Sequence, residues 1–403
     1  MTTVPPPSRT GGATLVIVAN AASPYRTAQH LRYVREVPGL RLRSLFLYGE
    51  TAHDWDNPLP AEIGPEVLAP GRSIVGRHRP AGMVAQVGLA RRLLARLRDL
   101  RPDVVLLTGY ADVAFLAAMA WCRRVGVPYV LYCDSNVAGD RADGVRGLAK
   151  GIVIRSAVGG AAVVGATSRA GLRYFYRYGG ARRPTVFLPP EPDYATIVDP
   201  PPAEVARIAA GLGLAEGRRR FLFSGRLSPE KGIDTALDAF VAVADALPDW
   251  DLVVAGDGPS RAELEARVPT ALGERVRWLG YVPGREAVGA VYRSCDVLVL
   301  PSGYEPWGVV VLEAAAAGMA LVVSDVVGAA VELVRPGANG ATFPPGDVDA
   351  LRRALLAVAP AAEAMGARSP EILAAWRRGS DPVAGLRHAL DVVGRSRSIG
   401  APT

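Results

Sequence analysis

The chain has 403 residues, half of them hydrophobic and 21% charged, with a formal net charge of +7 and 3 cysteines. That composition excludes a disordered chain, a collagen-like repeat and a disulfide scaffold, and at roughly 100–200 residues per domain it asks for about two or three domains. The charge is uneven: residues 1–180 hold 23 basic and 12 acidic side chains, whereas the remainder is mildly acidic. The opening MTTVPPPSRTGG has no basic head followed by an apolar stretch and reads as a tail, not a secretory leader. Short apolar runs, many of them β-branched, at 14–19, 45–48, 104–107 and 129–132 then alternate with amphipathic helical patterns. After the proline-rich Asp199-Pro200-Pro201-Pro202, a second series of strands is expected at 221–224, 252–255, 276–279, 297–300 and 320–324. From 370 to 393 the spacing is helical and no strand follows. The alternation predicts an α/β chain of two Rossmann-like domains facing across a cleft, residues 1–198 and 199–369, with a helical segment at 370–403 packing back towards the first domain. The weakly charged runs at 104–121 and 156–168 are broken by Asp112 or are short and glycine-rich, below the roughly 20 apolar residues of a membrane span. Cys122, Cys133 and Cys295 lie far apart, which makes them core thiols of a reducing compartment and the cytoplasm the expected location.

In open parallel sheets ligands bind beyond the carboxyl ends of the strands. The residues following each strand are therefore the candidates. After the first strand, Ser23 can cap a helix whose first turn holds Pro24, and its N–H groups with Arg26 would hold an anion; a plain well-capped helix explains the same residues. After 221–224 comes Gly225-Arg226-Leu227-Ser228-Pro229-Glu230-Lys231-Gly232. Its glycines allow close approach of backbone to ligand, and Arg226 and Lys231 can converge on a diphosphate. Lys231 stands out because the chain's other lysine is Lys150; the plainer reading is a solvated turn. Ala255-Gly256-Asp257-Gly258-Pro259 is a tight turn beside it. The densest stretch is Pro301-Ser302-Gly303-Tyr304-Glu305-Pro306-Trp307-Gly308, followed by an apolar helix containing Glu313. A charge between Leu312 and Ala314 is costly. It reads as a carboxylate accepting protons from ribose hydroxyls, or as a structural Glu paired with an Arg.

These residues resemble those of glycosyltransferase family 4, retaining enzymes of the GT-B fold. The likeness runs from Phe223 to Asp347 and comprises the Gly225-Arg226 to Lys231-Gly232 loop, Gly256-Asp257-Gly258-Pro259, Leu279-Gly280-Tyr281-Val282, the Glu305 to Glu313 spacing, Gly318 and Asn339-Gly340. It implies that Arg226 and Lys231 hold a nucleotide diphosphate, that Glu305 contacts donor-sugar hydroxyls, and that Glu313 contacts the ribose. Tyr281 and Val282 would border the base, with Gly225, Gly256, Trp307, Gly308 and Val309 completing the nucleotide-sugar site. Over residues 1–200 the likeness is weaker. Ala21-Ala22-Ser23-Pro24 stands where many members have a glycine-rich loop, and Tyr132-Cys133-Asp134-Ser135-Asn136 where many have a histidine. Asp134 is the candidate to act there, and Ser23, Tyr25, Arg26, Tyr110 and Asn136 are candidates for the acceptor; turn and cap roles are the alternative for Asp134 and Asn136. His30, His53, His78 and His388 do not match the family position, and His30 comes nearest.

Cleavage at a diphosphate needs cations and backbone N–H groups where negative charge develops, and Arg226, Lys231 and the N-terminus of the helix after Trp307 would supply them. No metal and no other cofactor is then expected beyond the nucleotide-diphosphate sugar itself. For a retaining transfer the resemblance implies a front-face reaction in which the leaving phosphate helps deprotonate the acceptor hydroxyl. The expected partner is a small-molecule, lipid-linked or oligosaccharide acceptor, and no nucleic acid. Arg77, Arg79, Arg91 and Arg92, beside apolar residues, suit peripheral membrane contact with an anionic acceptor, although solvated Arg-rich helices look the same. Competing functions are a GT-B epimerase acting on the donor alone and a non-catalytic nucleotide-sugar-binding module.

Overall fold

The computed structural model describes residues 12–49, 58–71, 80–140, 144–214 and 217–399. Arg77, Arg79, His53, His78 and most of the opening tail lie outside the described residues. Strands β1 (Thr14–Ala19), β2 (Arg41–Phe46), β3 (Pro65–Val67), β4 (Val104–Leu107), β5 (Tyr129–Cys133), β6 (Val163–Ala166) and β7 (Thr185–Phe187) form one parallel sheet in the order β3-β2-β1-β4-β5-β6-β7. Every residue of β1 is buried, as expected of a central strand covered on both faces. Its side chains alternate between two layers. Val16 and Val18 join the core beneath helices Pro80–Leu100, Val113–Val125 and Gly144–Gly160. Leu15 and Ile17 face helix Pro24–Glu36 and the last helix, Pro382–Ile399, whose Val383, Leu386, Ala389 and Val393 are buried with them. The end of the chain thus completes the core of its beginning.

The second sheet holds β8 (Arg219–Ser224), β9 (Trp250–Ala255), β10 (Val276–Gly280), β11 (Val297–Leu300), β12 (Ala320–Ser324) and β13 (Gly340–Phe343), again parallel, in the order β10-β9-β8-β11-β12-β13. Four expected strands coincide with β1, β4, β11 and β12. β3, β6, β7 and β13 were not anticipated: β3 and β7 are three-residue runs, and β6 and β13 each contain a glycine, a residue depleted in strands. The helical end begins earlier than expected: helix Ala362–Ser380 runs through Pro370 before Pro382–Ile399 follows.

The junction also differs from the sequence reading. The chain leaves the first sheet at β7, and Tyr194, Ala209, Leu212 and Leu214 already belong to the second core. A Cβ on Gly289 would stand 2.3 Å from the carbonyl oxygen of Thr196. The crossing therefore lies near Leu188–Asp193, in Pro189-Pro190-Glu191-Pro192, whereas Pro202 occupies the first turn of helix Pro202–Gly211, a position that suits its missing N–H and fixed φ. Glu191 anchors the crossing. Its buried carboxylate takes Arg32 at 2.5 Å, Arg377 at 2.9 Å and the Tyr194 hydroxyl at 3.2 Å, and burial raises its pKa despite both guanidinium groups. No described helix is long and apolar enough to cross a membrane.

Candidate active site

The carboxyl edges of the two sheets face each other across a cleft of about 950 Å³. The second domain contributes all the residues expected there: Gly225, Arg226, Lys231, Gly256, Tyr281, Val282, Glu305, Trp307, Gly308, Val309 and Glu313 line it. They converge because β8, β9, β10 and β11 each end at this edge. Two glycines make the approach possible. Gly256 has φ +143, and a Cβ on it would lie 1.9 Å from the carbonyl oxygen of Gly225, so the turns after β8 and β9 can touch only through glycine. Gly308, at φ +92, starts helix Val309–Ala316 and directs its first turn into the cleft, where N–H groups have no intrahelical acceptor.

The charges divide into a closed pair and open groups. Lys231 Nζ is bound to Glu305 Oε2, both side chains being largely buried. Arg226 is 3.6 Å from Glu230, itself bound by Ser228 Oγ at 2.6 Å, which holds the Glu230 carboxyl below its ordinary pKa. The Nε of Arg226 is buried without a hydrogen-bond partner among the described residues. Glu313 makes no salt bridge to any described residue; burial raises its pKa, with the Tyr292 hydroxyl as the neighbour that favours its ionised form. A structural Arg partner for Glu313 is therefore not what the fold supplies. The indole of Trp307 is engaged with the protein: Nε1 donates to the Pro190 carbonyl at 2.9 Å, and the ring packs on Trp376 with centroids 5.5 Å apart.

On the first domain's side Tyr25, Arg26 and Asp134 line the cleft, and Ser23, Tyr110 and Asn136 do not. Ser23 occupies the cap position of helix Pro24–Glu36, yet its hydroxyl makes no capping bond and is buried without a hydrogen-bond partner among the described residues. Tyr110 is bound to Tyr174 at 2.5 Å and to Ser135 at 3.3 Å, and burial pushes its pKa up to about 12. Asn136 caps the turn Val137–Gly139. His30 is a core residue: it is buried, bonded to Ser44 at 2.9 Å, and its pKa is lowered to about 3 by burial and by Arg26. Of the arginines named for a basic surface, Arg92 donates to the Leu68 carbonyl at 3.1 Å. Sequence reasoning missed Asp193, Thr196, Ile197, Tyr292 and Arg285, which complete the cleft wall. The proline cluster at 189–192 was the available signal for the first three.

Two family models match this architecture domain by domain. Residues 11–191 match the glycosyl transferase 4-like domain, and residues 205–362 the model described as glycosyl transferases group 1. The chain belongs to this glycosyltransferase family. Among relatives, the 2-deoxystreptamine glucosyltransferase of Streptomyces kanamyceticus is 34% identical over 218 residues, 51% of this chain and 54% of that protein. The GDP-mannose-dependent alpha-(1-6)-phosphatidylinositol dimannoside mannosyltransferase of Mycobacterium tuberculosis is 42% identical over 100 residues, 25% of this chain and 26% of its own. The matches thus span about half the length of these relatives, or less. The fold likeness extends further: HepE of Anabaena, solved in complex with UDP, aligns with TM-score 0.70 at 18% identity over 95% of this chain and 100% of that one. Sucrose-phosphate synthase of Thermosynechococcus elongatus aligns with TM-score 0.74 at 19% identity, covering 94% and 99%. The family's members share the two-domain GT-B arrangement, which these neighbours bear out for this chain.

Proposed function

We propose that this glycosyltransferase moves a sugar from a nucleotide-diphosphate sugar to an acceptor hydroxyl with retention of configuration and without a metal. One observation carries the reading: Arg226, Lys231, Glu305 and Glu313 all face one cleft, although they arise from a loop after β8 and a loop and helix after β11. Arg226, with a buried unpartnered Nε, and Lys231 are matched to a diphosphate. The open first turn at Gly308–Val310 adds fixed positive dipoles where the leaving group gains charge. Cations and dipoles in these positions stabilise the diphosphate without a divalent ion. Glu305, held by Lys231, is the group for the donor sugar, and Glu313, in a partly buried pocket with Tyr292, is suited to accept from ribose hydroxyls. Tyr281, half-exposed, and Val282 form the platform for the base. Tyr25, Arg26 and Asp134 line the cleft from the first domain, which supports an acceptor on that wall.

The steps follow from this arrangement. The diphosphate is gripped first, the sugar is oriented by Glu305, and the bond to the leaving phosphate lengthens as its charge meets Arg226, Lys231 and the helix terminus. The acceptor hydroxyl approaches on the same face and gives its proton to the departing phosphate oxygen. No side chain is assigned as nucleophile. Thermal stabilisation by a panel of UDP-, GDP- and dTDP-sugars tests the donor site, since a ligand at about 100 times its dissociation constant adds roughly 2.7 kcal/mol. A panel without any shift sinks the reading. Full activity in excess chelator is expected of the metal-free route.

A further inference from the structure

The loop that carries Glu305 is gripped by the first domain as well as by its own. Asn136 Oδ1 accepts from the N–H of Gly139 at 3.1 Å, while its Nδ2 donates across the domain boundary to the carbonyl oxygen of Pro306 at 3.2 Å. Gly139 lies against Tyr304 so closely that a Cβ would stand 2.1 Å from the tyrosine hydroxyl oxygen. Behind the loop, the carbonyl of Glu305 accepts from the N–H of Gly328 at 3.0 Å. Helix Gly328–Leu333 then returns to the first domain through Glu332, which is 3% exposed and accepts from the N–H of Arg169 at 2.8 Å. Residues 304–306 therefore sit between two points at which the domains are fastened.

These contacts exist only with the domains together. If the domains part, Glu332 loses the helix N-terminus that accepts its charge favourably, and the amide of Asn136 and the carbonyl of Pro306 lose each other. The joined and parted arrangements differ by a few such contacts, a balance that small changes can shift. The backbone held by Asn136 belongs to the residue directly after Glu305. We propose that Asn136 is a positioning residue: through the Pro306 carbonyl it locks the Glu305 loop in register when the cleft shuts, and leaves donor capture to the second domain. This rests on the reading of Glu305 as the sugar-positioning group of a transferase.

Asn136→Ser and Asn136→Asp, made in the full chain, keep an oxygen to cap Gly139 but lack the amide donor. UDP-glucose, GDP-mannose and dTDP-glucose serve as probes, read as donor affinity by calorimetry and as release of free sugar. The expected result is a donor dissociation constant within about twofold of the wild type, kcat lowered tenfold or more because misplacement of a reacting group is costly, and a larger radius of gyration by solution scattering. Unchanged kcat in both variants overturns the proposal. So does a joint loss of donor affinity and turnover with a lowered melting temperature, which marks a purely structural cap. If the wild type releases sugar from none of the three, the transferase reading fails, while an unchanged radius of gyration in the variants separately overturns the clamp.

Discussion

On the second domain's wall of the cleft, charged side chains are incompletely paired among the described residues: the Nε of Arg226 is buried without a hydrogen-bond partner, and Glu313 makes no salt bridge. On the first domain's wall the strand ends carry Ser23, Tyr110 and Asn136, whose polar atoms are buried or engaged with other protein groups. Both walls are parallel sheets with helices packed on them, so the difference lies in the loops that leave the strand ends. On the proposed reading one wall is the donor site and the other is largely a frame, from which the polar side chains of Tyr25, Arg26 and Asp134 line the cleft.

Four experiments sharpen or break that contrast. Glu305→Ala should lower turnover by about 10²- to 10³-fold, the range found when a preorganised transition-state contact is removed, and near-normal sugar transfer by this variant ends the assignment. Lys231→Ala should weaken donor binding by about tenfold to a hundredfold, one charge-assisted contact being worth about 1.5–3 kcal/mol; calorimetry with the stabilising nucleotide sugar measures it. Glu313→Gln should weaken the donor by about tenfold and raise the melting temperature of the unliganded chain. The sign follows from the raised pKa: the folded chain holds this proton more tightly than the unfolded chain, so ionising Glu313 costs stability as pH climbs through and above the ordinary value of 4.5. The difference in melting temperature between wild type and Glu313→Gln should accordingly shrink as pH is lowered to about 4. The smallest effect belongs to the other wall: Arg26→Ala should raise acceptor KM several-fold with donor affinity unchanged, and a loss of donor affinity instead would erase the division between the two walls.

The strands that lead to the site were legible because β1, β8, β9 and β11 carry apolar runs covered on both faces, and such runs announce themselves without regard to partners. The candidate donor residues were named partly from the glycines flanking the loop after β8 and from Lys231, one of two lysines in the chain, and partly from the family resemblance. Asn136 was read as an acceptor contact and instead ties two loops together, because an Asn after a strand looks the same whether its amide faces a ligand or a carbonyl 170 residues away. Trp307 likewise sits in the right segment with its ring turned toward Trp376. The crossing point was misjudged since Pro200 to Pro202 and Pro189 to Pro192 carry equal local signals.

The residue order alone fixes what is local: the alternation of strand and helix, the turns that require glycine, and the charged groups proposed to hold a diphosphate. These depend on backbone sterics and on the cost of burying charge, which act within a few residues. What the tertiary structure decided is which of those groups share a cavity and which are consumed by holding the domains together. The last helix in the first core, the Glu191 cluster at the crossing and the bond from Asn136 to Pro306 all join residues far apart in the chain, and contacts of that kind are chosen by packing, not by any neighbouring residue.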